Sequence, residues 1–338
     1  MRRVSIGFVS VFALTLAACS TPAELSTDVT VMRLPHNMNE SHPIHQSLVH
    51  FAELAEEKSD GALRFDLYPN GQLGSEREAI ELTQTGAVDA TKVSATALES
   101  FSPVYALFSI PYLFSGQDHY YEVMESAIAT DIYDSTSDSG FFGLTYYDAG
   151  TRNMYTIDQP VLEPSDLAGL KIRVQPSETA IEMTRLMGGA PTPMAFGEVY
   201  TALQQGVIDG TENNETALTA NNHGEVAKDY SYTEHAIVPD LLIFSKQRWD
   251  SFTDEEREII TEAALESSQF HKQIWAEETE RSIEGAEELG VTFHEDVNKE
   301  AFRELVEPMH ERVRNDDAMS GYYERIQAMT EEGEDGND

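Results

Sequence analysis

Apolar positions in this chain follow two rhythms that take turns. Val29, Val31 and Arg33 start an alternating strand, and Ile44, Leu48, Phe51 and Leu54/Ala55 then recur at helical spacing, predicting a helix from about Ser41. That helix ends at Ser59-Asp60-Gly61, where glycine can take the left-handed cap. Leu63, Phe65 and Leu67 alternate as the next strand, which Pro69-Asn70-Gly71 closes. Ser75-Glu76-Arg77-Glu78 has capping-box spacing and opens a second helix.

The strand–helix alternation contains a repeat. Glu78, Gln84, Gly86, Asp89 and Thr91 recur as Glu198, Gln204, Gly206, Asp209 and Thr211, a constant offset of 120. In each copy a helix ends at Gly and a short apolar strand (Ala87-Val88, Val207-Ile208) is expected after it. A strand–helix pair, Leu170 to Val174 and about Ser177 to Met187, precedes the second copy. The order of elements predicts an α/β protein of two similar lobes. The C-terminal third is helical: Thr253-Asp254-Glu255-Glu256 is a capping box, and Ile259/Ile260, Ala263, Ser267, Phe270 and Ile274 keep one face largely apolar. No breaker occurs before Gly285, so a single helix of more than about 30 residues is long enough to brace both lobes. The acidic run Glu331 to Asp338 is expected to fray.

The first residues read as an address. Met1-Arg2-Arg3 and an apolar run from Val4 to Ala18 match a secretory signal, and the run is short for a membrane span, which needs about 20 residues. Leu16-Ala17-Ala18-Cys19 resembles a bacterial lipobox, in which the cysteine sulfur is lipidated and becomes the mature first residue. Cys19 is the only cysteine, which excludes a disulfide framework and a cysteine-based zinc site. Residues 19–28 then form a tether. The 338-residue length fits two lobes of ordinary size. A formal charge of −38 argues against nucleic acid or an anionic membrane surface as partner, since both reward clustered cations. Of the 22 cations only 7 are lysine, a composition suited to concentrated salt or to an ordinary acidic secreted protein.

Phosphate-loop, dinucleotide, zincin and hydrolase-elbow motifs are missing from the sequence. His36, His42, His45 and His50 cluster loosely, with only partial geometry for a metal, and read as surface and capping histidines near a cleft rim. Two arginines stand at strand mouths. Arg173 lies opposite the apolar face Leu170, Ile172 and Val174, in a strand that runs into a helix start at Pro176-Ser177. Carboxyl ends of strands are where open α/β sheets bind ligands. Arg152 follows Tyr146 to Thr151, a strand end containing Gly150. The planar fork of a guanidinium matches a carboxylate. Structural pairing with Asp148 or Glu178 is the alternative for both. Asn213, just past the second repeat strand, both donates and accepts, which suits a hydroxy acid, or it is a turn residue. Tyr146, Tyr147 and Tyr155 read either as a pocket floor or as core, and Phe196, in the loop from Pro191 to Glu198, faces ligand or core.

At these residues the sequence resembles the DctP-type substrate-binding proteins of tripartite ATP-independent periplasmic (TRAP) transporters. The matches are Gly71-Gln72-Leu73-Gly74, Ile110-Pro111-Tyr112-Leu113-Phe114, the Lys171 to Val174 strand, Pro191 to Ala202 and Asp209 to Asn213, in family order from about residue 29 to 310. The resemblance implies a two-lobed α/β, periplasmic-binding-protein-like (type II) fold with an interlobe cleft and a long C-terminal strap helix. It implies a first lobe of 29–149 plus about 239–278 and a second of 150–238 plus about 279–330. It also implies no catalysis, no cofactor and no metal. A monomer, lipid-anchored through Cys19 in the periplasm, would deliver its ligand to membrane permease subunits. By the resemblance Arg173 clamps the ligand carboxylate, Asn213 supports the same end, Arg152 is a second ligand arginine, and Glu76, Asn37 and Ser94 line the cleft. Sialate binders resemble a pattern with Glu at the Ser94 place and Arg at the Ala97 place, and this sequence has neither. Tyr146 to Tyr155, Arg173-Val174-Gln175 and Glu212-Asn213-Asn214 look most like the branch that binds glucuronate, galacturonate or aldonates. The physical reading agrees: arginine for the carboxylate, Glu76 and Asn37 for hydroxyls. C4-dicarboxylates and keto acids compete, and a sensory protein feeding a signalling partner would bind the same ligand.

Overall fold

A computed structural model describes residues 29–334. The expected signal peptide (1–18), the Cys19 lipidation site with its tether (19–28), and residues 335–338 of the acidic tail lie outside the described residues. Eleven strands are described: β1 (Thr30–Pro35), β2 (Leu63–Tyr68), β3 (Ala90–Ser94), β4 (Phe141–Tyr147), β5 (Thr151–Thr156), β6 (Lys171–Val174), β7 (Ala190–Pro193), β8 (Gly210–Asn213), β9 (Asp229–Ile237), β10 (Asp240–Ser245) and β11 (Thr292–His294). The result is a two-lobed α/β fold.

In the first lobe β1 and β2 pair in parallel, while β10 runs antiparallel between β3 and β4. β1 is joined to β3 by the Asp89 N–H donating to the Arg33 carbonyl (3.2 Å) and the Thr91 hydroxyl donating to the Pro35 carbonyl (2.8 Å). The second lobe has one sheet in the order β11-β9-β5-β8-β6-β7, with β6 parallel to both neighbours. Helix Pro43–Lys58 covers the first sheet through Ile44, Leu48, Phe51 and Ala55, all fully buried. Each such aliphatic or aromatic side chain contributes about 1.5–3 kcal/mol when fully buried.

Four of the five repeated residues do the same work in both lobes. Asp89 accepts from the Arg33 backbone N–H at 2.7 Å, and Asp209 from that of Lys171, also at 2.7 Å. Thr211 donates to the Arg173 carbonyl (3.2 Å) as Thr91 does to Pro35. Glu78 and Glu198 each accept from the backbone N–H three residues earlier, at 2.8 and 3.0 Å. Gly86 and Gly206 adopt φ of +72° and +65°, a conformation cheap only for glycine. The strands begin later than the expected Ala87-Val88 and Val207-Ile208. Those residues instead close the preceding helices, both N–H groups of each pair donating to one carbonyl, Leu82 or Ala202.

Helix Asp254–Glu288 is 35 residues long, about 52 Å at 1.5 Å per residue. Its Thr253/Glu256 capping box is complete. Ser268 donates to the Tyr146 carbonyl (2.6 Å) and His271 meets Ser47 (2.8 Å) in the first lobe, while Ser282 meets Thr219 (2.9 Å) in the second. The brace expected from sequence therefore touches both. The last helix, Ser320–Glu334, touches both lobes, its Tyr323 hydroxyl meeting a His310 ring nitrogen of helix Lys299–Arg314 at 2.9 Å. It lies on helix Gln117–Met124 of the first lobe, with Gln327 donating to the Leu113 carbonyl (2.9 Å), a His119 ring nitrogen meeting the Ile326 carbonyl (2.9 Å) and Arg325 paired with Asp131 (3.0 Å). The apolar surface that draws it there, with Tyr323 and Ile326 buried, is invisible to a linear count of boundaries. Among the described residues no helix is long and apolar enough to cross a membrane.

Candidate functional site

Strand ends from both lobes meet at one cleft. β3 ends at Ser94, β6 at Val174 before Gln175, and β8 at Asn213. Two adjoining cavities, of about 30 and 450 Å³, lie there and share Asn37, Glu76, Gln175 and Phe196. Arg152, Asn213 and Ser94 line the smaller one and Arg173 the larger, so all seven residues singled out in the sequence surround the same space.

Arg173 is 2% exposed. Its Nε and Nη2 donate to the Met194 carbonyl (3.2 and 3.0 Å), and its guanidinium carbon sits 5.6 Å from the Phe196 ring centroid. Among the described residues no carboxylate pairs with it. Burial, with Glu212 opposing and Arg152 adding to it, lowers its pKa to about 10, so it stays charged at neutral pH. A buried cation without a counter-ion is costly unless something brings the opposite charge.

Arg152 is different. It forms a buried pair with Glu212 through Nε, donates to Asn213 Oδ1 (3.0 Å) through Nη1, and to the Glu212 carbonyl (2.9 Å) through Nη2. The suggested structural partner Asp148 is not its partner. Asp148 instead accepts from Gln117, Tyr121 and the Gly150 N–H at 2.7, 2.5 and 2.8 Å. Burial pushes the Glu212 carboxyl up, but Arg152 and the His235 ring 3.6 Å away outweigh it and hold the pKa at about 2. Asn213 Oδ1 is occupied by Arg152 and Asn214, which leaves its amide nitrogen for the cavity.

Across the cleft, Glu76 opens helix Glu76–Gln84 and accepts from the Ser94 N–H (3.0 Å). It also lies 3.6 Å from Lys92, a fully buried lysine paired with Asp240 at 2.9 Å. Burial raises the Glu76 pKa despite Lys92. Asn37 Oδ1 and Gln175 Oε1 are buried without a hydrogen-bond partner.

The histidines differ from expectation in depth. His36 and His42 are each 3% exposed rather than at the surface. His42 does cap its helix, accepting from the Ile44 N–H (3.1 Å), and also lines the smaller cavity. Burial lowers the His36 pKa to about 3 and that of His42 well below its usual value, so both are neutral. Among the described residues no cluster suits a metal ion. Tyr146, Tyr147 and Tyr155 are core, Tyr147 bonding Ser267 and Tyr155 bonding His223. Sequence reasoning missed Gln175, Asp240 and Trp275 as lining residues. Gln175 sits in the quoted Arg173-Val174-Gln175 run, and Trp275, one of the chain's two tryptophans, ends the apolar face of the long helix, so a signal existed for both.

Known proteins share this fold. A periplasmic TRAP solute-binding protein of Anaerococcus prevotii, solved with alpha/beta D-glucuronate bound, is 40% identical with a TM-score of 0.87, covering 90% of this chain and 99% of its own. One from Xanthobacter autotrophicus with beta-D-galacturonate is 32% identical with a TM-score of 0.85, over 88% and 99%. The C4-dicarboxylate-binding periplasmic protein DctP of Rhodobacter capsulatus is 31% identical over 92% of this chain and 94% of its own. The family model for bacterial extracellular solute-binding proteins, family 7, matches residues 34–316. With that extent of agreement in sequence and fold, the chain belongs to the DctP family of TRAP solute-binding proteins and is a receptor rather than an enzyme.

Proposed function

We propose that this receptor binds a sugar acid such as glucuronate or galacturonate between its lobes, with Arg173 clamping the carboxylate. The observation that carries the reading is the buried Arg173 guanidinium, which has no acidic partner among the described residues. Asn213 and Arg152 support the same end, while Glu76, Asn37 and Ser94 meet the hydroxyls and Phe196 packs on the clamp. The bound sugar acids of the two solved relatives favour this class. A C4-dicarboxylate, as named for the Rhodobacter relative, is the second reading. It needs two free cations, whereas Arg152 is already neutralised by Glu212.

The residue-level division into lobes 29–149 plus about 239–278 and 150–238 plus about 279–330 belongs to the same proposal. So do a monomeric state, delivery to TRAP permease subunits rather than a signalling protein, and anchoring through Cys19, which rests on the lipobox-like sequence alone. The lysine-poor acidity supports a salt-adapted surface, for which stability that rises with added salt is the measure. Calorimetry with D-glucuronate and D-galacturonate tests the central claim. Arg173→Ala is expected to lose about 2–5 kcal/mol, as for truncating one partner of a buried charge pair, and near wild-type affinity overturns it.

A further inference from the structure

Among the described residues, two amides in the cleft lack hydrogen-bond partners. Asn37 follows β1 and Gln175 follows β6, and they hold equivalent places in the two lobes. Each stands two residues beyond the one whose carbonyl accepts the repeat threonine, Pro35 for Thr91 and Arg173 for Thr211. Both line both cavities, and Gln175 also lines a third of about 20 Å³ with Thr96, Ser109 and His235. Their carbonyl oxygens are buried and accept nothing. Asn213 Oδ1 is instead held by Arg152 and Thr96 by Ser109 at 2.9 Å, while Glu76 accepts from the Ser94 N–H through Oε1 alone.

A buried acceptor left unpaired is costly, so two at matched positions point to donors brought by the bound molecule. A carboxylate or keto oxygen has no proton to give, while a hydroxyl donates to the amide oxygen and accepts from the amide nitrogen. We infer that Gln175, acting with Asn37, reads ligand hydroxyls and so selects hydroxylated monocarboxylates over unhydroxylated dicarboxylates and keto acids. This rests on Arg173 holding the carboxylate and assigns the recognition of the rest of the molecule.

Calorimetry of Gln175→Leu and Asn37→Leu with D-glucuronate, succinate and 2-oxoglutarate tests it, with melting of the ligand-free variants measured alongside. Each variant is expected to bind D-glucuronate about 10- to 100-fold more weakly, with affinity for the two unhydroxylated acids little changed. Should a leucine variant fail to fold, Gln175→Met serves in its place. Wild-type affinity of both variants for D-glucuronate, in a protein whose binding is lost in Arg173→Ala, overturns the hydroxyl assignment while the clamp stands. Equal weakening toward all three acids assigns the amides a merely structural role and also overturns it. Tighter wild-type binding of succinate than of D-glucuronate removes the sugar-acid reading and this inference together.

Discussion

Glu212→Gln isolates the charge that neutralises Arg152 while keeping shape and an acceptor oxygen. In the folded protein the Glu212 pKa is held at about 2 against an ordinary 4.5. At about 1.4 kcal/mol per pH unit that interval corresponds to about 3 kcal/mol of stability. Removing one partner of a buried pair independently suggests about 3–5 kcal/mol, and both residues are buried, so solvent screening takes little away. Because the folded pKa is depressed, the contribution is complete above about pH 4.5 and disappears as pH falls through about 2. Urea unfolding of wild type and variant from pH 7 to pH 3 should show a gap of about 3 kcal/mol down to about pH 4.5, narrowing to about 1.4 kcal/mol at pH 3. A gap under about 1 kcal/mol at neutral pH, the range of an exposed pair, refutes the reasoning. So does a gap that stays constant to pH 3.

Three further outcomes are open to measurement. Asp89→Ala and Asp209→Ala each remove a carboxylate that accepts from a neighbouring strand's N–H, and each should lower the unfolding free energy by about 1.5–3 kcal/mol. Trp275 lines the smaller cavity while Trp249 packs on Phe244 in the first-lobe core. Ligand should therefore change tryptophan emission in Trp249→Phe but not in Trp275→Phe. A Cβ on Gly210 would meet the Tyr155 carbonyl oxygen at 2.6 Å, so Gly210→Ala should melt earlier, by about 1–3 kcal/mol of overpacking.

Much of this was legible in the chain because the responsible contacts are local or repeated. The constant spacing of Glu78/Glu198, Asp89/Asp209 and Thr91/Thr211 marks one hydrogen-bonding device used twice, and the Thr253 box marks the start of the long helix. Arg173 and Asn213 could be placed at the cleft because strand ends are where such sheets open. Pairings between distant positions were not legible. Nothing near Arg152 in sequence singles out Glu212, sixty residues on, over Asp148, and Lys92 meets Asp240 only because β10 returns beside β3. Burial hid the histidines for the same reason: His36 and His42 look polar in sequence, yet other elements cover them.

The doubled threonine bond makes Pro35 the counterpart of Arg173. A near-symmetric frame thus offers an amide from either side, but the place that holds a buried, unpaired guanidinium in one lobe holds a proline in the other. If Arg173 is the clamp, that asymmetry gives the chamber a polarity: an elongated acid lies head toward the buried guanidinium, and turning it end for end would leave that cation facing an uncharged group.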